Sequence, residues 1–405
     1  MAKSILSSPA FGIAFCALGA VCEGIDLQVA GIAAGGIAAA YHPSARLMGY
    51  FFSASTLGLL FGAMLGGRVS DSVGRRGVLI LSVAMFGLFS ILTAFAWDMS
   101  SLTLFRLLTG LGLGGALPML LAYVSERSPP RWYRANVTLV YAMMPLGGAA
   151  ISLVSLMLAP TQWRVLFVLG GVLPLILAPL MLWGLPESRA FQDARRAANL
   201  PRRGSIVALF ADGRATRTTL LWVSFFFQLL LLYLLLNWLP TLLVAHGATR
   251  AQAAVAQIGF NLGGVPAAAL MGLALQGKLR GPSILVVFVA IPVFLVALAY
   301  ARVDPQTLAG MVLLLGCAVV AAQAYFYASV PGIYPVTIRG MGAGAAVAMG
   351  RVGAVVGPLL GGFLQGAGHD TPRLLIDILP LVILGSISAL SFAWITRHEE
   401  RGTLA

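Results

Sequence analysis

Charge is scarce in this chain. Only 10% of its 405 residues are Asp, Glu, Lys or Arg, and just 13 are acidic. A soluble globular domain carries about 25% charged residues, so an ordinary water-facing surface is excluded. Lysine is scarcer still, with Lys3 and Lys278 the only two among 26 basic residues. That bias gives an arginine in a loop no special chemical weight. The three cysteines, Cys16, Cys22 and Cys317, sit in apolar runs at no metal-like spacing. They read as small buried residues, not as a disulfide or a zinc site. The four histidines, His42, His246, His369 and His398, fall in loops or the tail. No nucleophile–histidine pair, metal or cofactor site is expected, which argues against an intramembrane enzyme.

What the chain has instead is apolar length. It is 59% hydrophobic with a mean hydropathy of +0.93. The apolar segments lack the ten-residue alternation of a membrane β-barrel and run to about 20 residues, enough to cross a bilayer as a helix. Twelve spans are expected near 9–32, 47–66, 78–97, 101–124, 135–158, 164–185, 218–243, 251–276, 283–301, 307–330, 341–364 and 374–396. The amino-terminal run is too long for the core of a signal peptide and contains two acids, so it is read as a retained first span.

The net charge of +13 raises nucleic acid as a partner, and its distribution removes that reading. With the N-terminus inside, 19 Lys and Arg fall on the cytoplasmic side, five fall outside and two, Arg106 and Arg351, lie within spans. That asymmetry orients a membrane protein with both termini cytoplasmic. The longest polar segment, 186–217, separates two stretches of six spans, 1–185 and 218–405. The expected fold is therefore all-α, with twelve transmembrane helices in two six-helix halves.

Two acids interrupt the first span at Glu23-Gly24-Ile25-Asp26. Three residues is close to one helical turn, so both point to roughly the same side. A carboxylate at the centre of a membrane helix costs roughly 2.5–3.5 kcal/mol on insertion scales, so two in one span imply partners. With a rise of about 1.5 Å per residue, Asp26 lies roughly 24 Å up from the inner face and Arg106 about 8 Å below the outer edge. The two are at similar heights in a core of about 30 Å. Arg351 on span 11 lies roughly 16 Å up, near Glu23 at roughly 20 Å.

The halves look related. Pro130 to Arg134 and Pro335 to Arg339 each precede a span, Gly67-Arg68 and Gly277-Lys278 each follow a second span, and Arg164 and Arg373 each open a sixth. A parallel six-plus-six repeat around a central binding site is a transporter pattern. A shift of about 207 residues carries Glu23, Asp26 and Arg106 to the neighbourhoods of Leu230, Tyr233 and Leu313, all uncharged. A purely architectural role, holding spans 1 and 4 together, would be needed in both halves. A role in function would not.

The stretch Gly67-x-x-x-Asp71-x-x-Gly74-Arg75-Arg76 resembles the signature between spans 2 and 3 of the major facilitator superfamily. Arg106 followed by Gly110-x-Gly112 resembles its span-4 signature, and Pro186-Glu187-Ser188 its element at the end of span 6. Within the superfamily, Glu23-Gly24-Ile25-Asp26 is similar to the Asp-Gly-x-Asp element of the aromatic acid:proton symporters. The strings Glu23 to Ala38 and Asn237-Trp238-Leu239-Pro240 narrow that resemblance to one branch. The pattern is departed from at Gln276-Gly277-Lys278-Leu279-Arg280, where the second half lacks the acid of the first.

The resemblance implies import of a small aromatic carboxylate together with a proton. It makes Asp71, Arg75, Arg76, Gly67 and Gly74 a conformational gate at the cytoplasmic mouth, bridging the two halves, and assigns a binding role to the span-11 arginine, Arg351. From the residues themselves, Asp26 with help from Glu23 is the candidate proton site, because desolvation raises a carboxyl pKa and an Arg lowers it. Arg106 is the candidate partner. A planar guanidinium suits a carboxylate, which makes Arg351 the first candidate for the substrate and Arg106 the second. Tyr233, Asn237 and Gln323 are candidate polar contacts, since buried unpaired they would be costly. Export by a drug antiporter of the same fold is the alternative. Its usual span-5 glycine–proline element is not matched by Pro145-Leu146-Gly147-Gly148, although Gly353 to Gly362 in span 11 is similar to it.

Overall fold

The structure is a computed structural model and describes residues 9–129, 131–186, 206–301, 304–330, 333–335 and 338–402. Most of the expected linker, including Glu187 and Ser188, lies outside these residues. Among the described residues, twelve helices are long and apolar enough to cross a membrane. The chain divides into two units, Met1–Pro201 and Arg202–Ala405.

The first unit holds α1 (Pro9–Tyr41), α2 (Ala45–Val73), α3 (Arg75–Ala94), α4 (Met99–Arg127), α5 (Tyr133–Ser155) and α6 (Trp163–Gly184). The second holds α7 (Ala215–Ala245), α8 (Arg250–Ala274), α9 (Arg280–Ala299), α10 (Pro305–Ser329) and α11 (Arg339–Gly366), then the short α12 (Thr371–Asp377) and α13 (Leu379–Gly402), which together make the last span.

Two helix ends differ from the sequence expectation. α1 continues to Tyr41, beyond the expected end near residue 32. The stretch Gly31 to Ala40 contains no proline, and its alanines favour helix. α2 continues through Asp71 to Val73, so the gate acid sits in a helix rather than a loop. The break falls on Gly74 alone, with φ 101° and ψ 155°, a region open essentially to glycine.

Several scarce acids cap helices at the loops. Asp98 accepts from the Ser101 N–H at 2.7 Å, Asp304 from the Thr307 N–H at 3.0 Å and Asp370 from the Arg373 N–H at 3.0 Å. The hydrogen bonds of Ser101 hold the Asp98 carboxyl below its ordinary range, and those of Thr307 do the same for Asp304. A folded-state pKa below the unfolded one means both caps stabilise at neutral pH. Their contribution fades as the pH falls through the unfolded and then the folded value.

Packing inside each unit repeats. α1 lies against α5 as α7 lies against α11, and α2 against α4 as α8 against α10. The closest crossings are built on glycine, as membrane helix contacts commonly are. A Cβ on Gly147 would lie 2.1 Å from the Val21 carbonyl oxygen, and one on Gly353 2.0 Å from that of Phe226. A Cβ on Gly110 would meet the Ser55 oxygen at 1.9 Å, and one on Gly316 the Phe260 oxygen at 2.4 Å. These equivalences set the repeat at 205–206 residues, slightly less than the loops suggest. Asp26 then corresponds to Leu231 or Leu232, and Arg106 to Met311 or Val312. The counterparts remain uncharged.

Gly24, between the two acids, packs as tightly. Its Cβ would sit 1.9 Å from the Met144 oxygen, whereas one on Gly35 would meet nothing within 4 Å. Gly24→Ala is expected to lower stability by roughly 1–3 kcal/mol, the usual range for overpacking. Gly35→Ala should leave it unchanged. Thermal melts of the two purified variants check this, and equal melting temperatures would refute the backbone contact.

Candidate functional site

In the first unit, α1 brings Glu23 and Asp26 into the interior, both 0% exposed. The glycine contacts of α1 with α5 fix its rotation about its own axis. α4 supplies Arg106, 1% exposed. Its Nη1 donates to Asp26 Oδ1 in a short ion pair. Its Nη2 donates to the Asp26 carbonyl oxygen at 3.0 Å and to Ser55 Oγ at 3.2 Å. The Phe167 ring of α6 lies 5.7 Å from the guanidinium carbon. Four helices thus converge on one cation. Asp26 Oδ2 and Arg106 Nε are buried and make no hydrogen bond among the described residues. One carboxylate oxygen is therefore committed to the arginine and the other is not.

A buried ion pair is weak evidence for stability, because desolvation offsets the attraction. Removing one partner is another matter, costing roughly 3–5 kcal/mol when the other charge is left uncompensated. The pair is therefore a place where proton uptake by Asp26 would change the interactions of four helices together.

In the second unit, Arg351 on α11 is half-buried, and its Nη1 donates to the Tyr233 hydroxyl on α7 at 2.7 Å. Tyr233 is 5% exposed. Asn237 donates to the Tyr233 carbonyl oxygen at 2.8 Å, so its amide N–H serves its own helix. Gln323 is buried on α10. Arg351 and Tyr233 are thus joined side chain to side chain.

The other aromatics sort by contact. Tyr325 packs with Phe288, Phe326 and Phe392, and Phe225 with Phe326 and Tyr327. That cluster is core. The Trp238 indole donates to the Pro358 oxygen at 2.9 Å and locks α7 to α11. A crevice beside Ser224, Gln228, Phe288 and Ser386 has room for about one water, too little for an aromatic ring, and no cation lines it.

At the other end of the first unit, Arg75 at the start of α3 forms an ion pair with Glu126 of α4. Arg76 donates through Nη2 to the Leu182 oxygen of α6. Ser70 Oγ donates to the Gly67 oxygen at 2.7 Å, and a Cβ on Gly67 would meet nothing within 4 Å. The Asp71 side chain lies outside the described ones. Both of these arginine contacts lie within the first unit.

Sequence reasoning passed over Ser55, Phe167, Glu126 and Leu182. Ser55 left a trace in Ser53-Ala54-Ser55-Thr56, a polar cluster midway along an apolar helix. Glu126 was visible as an acid two residues beyond the expected span 4. Phe167 and the Leu182 carbonyl leave no signal in a chain this apolar.

Comparison with known proteins agrees with this architecture. The chain is 43% identical over 378 residues to the 3-(3-hydroxy-phenyl)propionate transporter of Escherichia coli, with 93% of this chain and 92% of that protein covered. It is 30% identical to the 4-hydroxybenzoate transporter PcaK of Pseudomonas putida, with 93% and 91% covered. A solved D-xylose-proton symporter superposes with a TM-score of 0.77 at 17% identity, covering 96% of this chain and 98% of that one, which bears on the fold alone. The model of the Major Facilitator Superfamily matches residues 16–315, and the chain belongs to that superfamily as a multi-pass membrane transporter.

Proposed function

We propose that the protein imports an aromatic carboxylate with a proton by alternating access, and that 3-(3-hydroxyphenyl)propionate or a related hydroxylated aromatic acid is its substrate. The observation that carries the reading is the buried Asp26–Arg106 pair, built in one unit with no charged counterpart in the other. Likeness to transporters named for 3-(3-hydroxyphenyl)propionate and 4-hydroxybenzoate supports the substrate class.

In the proposed cycle, Asp26 alternates between Arg106 and a proton. Glu23, one turn earlier on α1, assists. Arg351 takes the substrate carboxylate, with Tyr233 orienting the guanidinium and Asn237 and Gln323 as further polar contacts. Arg106 is the second carboxylate site should the substrate displace Asp26. Gly67, Asp71, Gly74, Arg75 and Arg76 form the cytoplasmic gate, and the Arg75–Glu126 pair ties it to α4, the helix of Arg106.

We take residues 1–185 and 218–405 as the two six-helix halves and 186–217 as the cytoplasmic linker. The Lys/Arg asymmetry supports cytoplasmic termini, and likeness to bacterial transporters supports a bacterial inner membrane.

Uptake of labelled 3-(3-hydroxyphenyl)propionate, with and without a protonophore, tests the reading. Accumulation is expected to collapse when the gradient is dissipated. Uptake indifferent to the gradient would sink proton coupling. Failure to take up this acid alongside robust transport of benzoate or protocatechuate would sink only the substrate.

A further inference from the structure

We infer that Ser55 is a positioning residue for the coupling pair: its hydroxyl holds the Arg106 guanidinium when Asp26 takes up its proton, and so sets the pH at which the proton is loaded. This rests on the proposed role of Asp26.

Arg106 has three acceptors, and they differ in kind. Asp26 Oδ1 carries charge that protonation removes. The Asp26 carbonyl oxygen at 3.0 Å and Ser55 Oγ at 3.2 Å are neutral and do not titrate. Arginine stays charged throughout, and an unpaired charge in a membrane interior is costly. Once the carboxyl is neutral it still offers an oxygen but no charge, so the other two acceptors carry a larger share of the guanidinium's interactions. Ser55 is the side-chain member of that pair, buried at 5% exposure.

Its position is fixed independently of the hydroxyl. One turn beyond Arg106, Gly110 lies against the Ser55 backbone so closely that a Cβ would come within 1.9 Å of the carbonyl oxygen. The repeat shows what that crossing needs. Its counterpart sets Gly316 against the Phe260 backbone, with Val312 one turn before Gly316. There the helices also meet backbone to glycine, where a Cβ would come within 2.4 Å, with neither a hydroxyl nor a cation. The hydroxyl of Ser55 accompanies Arg106 and not the helix contact.

The sign follows. Both protonation states of Asp26 use Ser55, but the protonated state relies on it more, having lost the carboxylate's attraction. Removing the hydroxyl disfavours that state and lowers the pH at which Asp26 loads. Other titratable groups on the packed elements include Cys16, Cys22, Glu23 and Tyr41 on α1, Arg46, Tyr50, Arg68 and Asp71 on α2, Tyr123, Glu126 and Arg127 on α4, Tyr133, Arg134 and Tyr141 on α5, and Arg164 on α6. The Arg164 guanidinium is engaged by the Ala94 oxygen and the Tyr41 hydroxyl.

The test is the pH profile of gradient-driven uptake of labelled 3-(3-hydroxyphenyl)propionate in proteoliposomes, for wild type, Ser55→Ala, Ser55→Thr and Asp26→Asn. The alkaline limb of Ser55→Ala should move roughly 0.5–1 pH unit toward acid, as expected for one lost hydrogen bond to a charged group shared unequally between two states. Ser55→Thr, which keeps the hydroxyl, should retain the wild-type limb. Ser55→Gly removes the same hydroxyl and replaces the alanine variant should that one fail to fold. A superimposable Ser55→Ala profile, equal shifts in Ala and Thr, or a folded Ser55→Ala protein inactive even at acid pH would overturn the inference. Wild-type accumulation by Asp26→Asn would instead overturn the reading of Asp26 on which it rests.

Discussion

Asp26→Asn is expected to abolish concentrative uptake while leaving exchange of internal for external substrate intact. The change is nearly isosteric and keeps an oxygen facing Arg106. It fixes the site in a neutral state, and with the proton no longer able to come and go, the gradient does no work on the cycle. A carboxylate and one proton cross together with no net charge, so the pH gradient alone drives accumulation, at about 1.4 kcal/mol and roughly tenfold per pH unit. Loss of that term should bring the accumulation ratio to about one. Exchange should survive because the loaded, protonated carrier is the form that crosses in both directions. Counterflow in proteoliposomes reads exchange, and uptake under an imposed pH gradient reads accumulation. Wild-type accumulation would remove Asp26 from the mechanism. Loss of both activities, with the protein still folded, would return the Asp26–Arg106 pair to the architectural role, holding α1 and α4 together. Arg106→Gln differs in sign, since it leaves a buried carboxylate without its cation. It should destabilise the first unit as well as stop transport.

The extent to which the sequence foretold the structure follows from its composition. In a chain this apolar each departure from apolarity is informative, so twelve spans and the charges inside them stand out. Height along a helix follows from residue counting, and counting alone put Asp26 and Arg106 at one level, where the structure pairs them. Rotation about the helix axis does not follow from counting. It is set by crossings such as Gly24 on Met144 and Gly110 on Ser55, and it decides that Ser55 reaches Arg106. The ends of α1 and α2 were misjudged for a related reason. Hydropathy marks where the bilayer stops, whereas a helix continues until a residue such as Gly74 breaks it. The repeat offset was slightly misjudged because loop motifs drift in length, while backbone crossings cannot. Arg75 and Arg76 were legible as cations. Their observed partners, Glu126 and a main-chain oxygen, depend on where two other helices end.

Taken with the proposed roles, the asymmetry between units becomes a division of labour. The first unit buries its arginine almost completely, with a carboxylate already on it. The second leaves Arg351 half-buried, with a neutral tyrosine hydroxyl at 2.7 Å. A guanidinium already paired with a buried carboxylate, as Arg106 is, has largely spent its attraction for an incoming anion. This favours Arg351 over Arg106 as the site of the substrate carboxylate.

The corresponding substitutions should be graded. Arg351→Ala removes a charge-assisted hydrogen bond of roughly 1.5–3 kcal/mol, which at about 1.4 kcal/mol per factor of ten raises KM roughly 10- to 150-fold. Arg351→Lys keeps the charge but loses the planar two-pronged geometry and should fall between that variant and wild type. Tyr233→Phe removes a neutral partner of the guanidinium worth about 0.5–1.5 kcal/mol, so its KM should rise only roughly 2- to 12-fold. Competition by the amide of the same substrate separates carboxylate recognition from general damage. Wild type should strongly prefer the acid, and Arg351→Ala should lose most of that preference. Retained discrimination in a folded Arg351→Ala protein, or a KM within twofold of wild type, would move the carboxylate to Arg106. The Arg351–Tyr233 contact would then be a strut between α7 and α11, alongside the Trp238–Pro358 hydrogen bond.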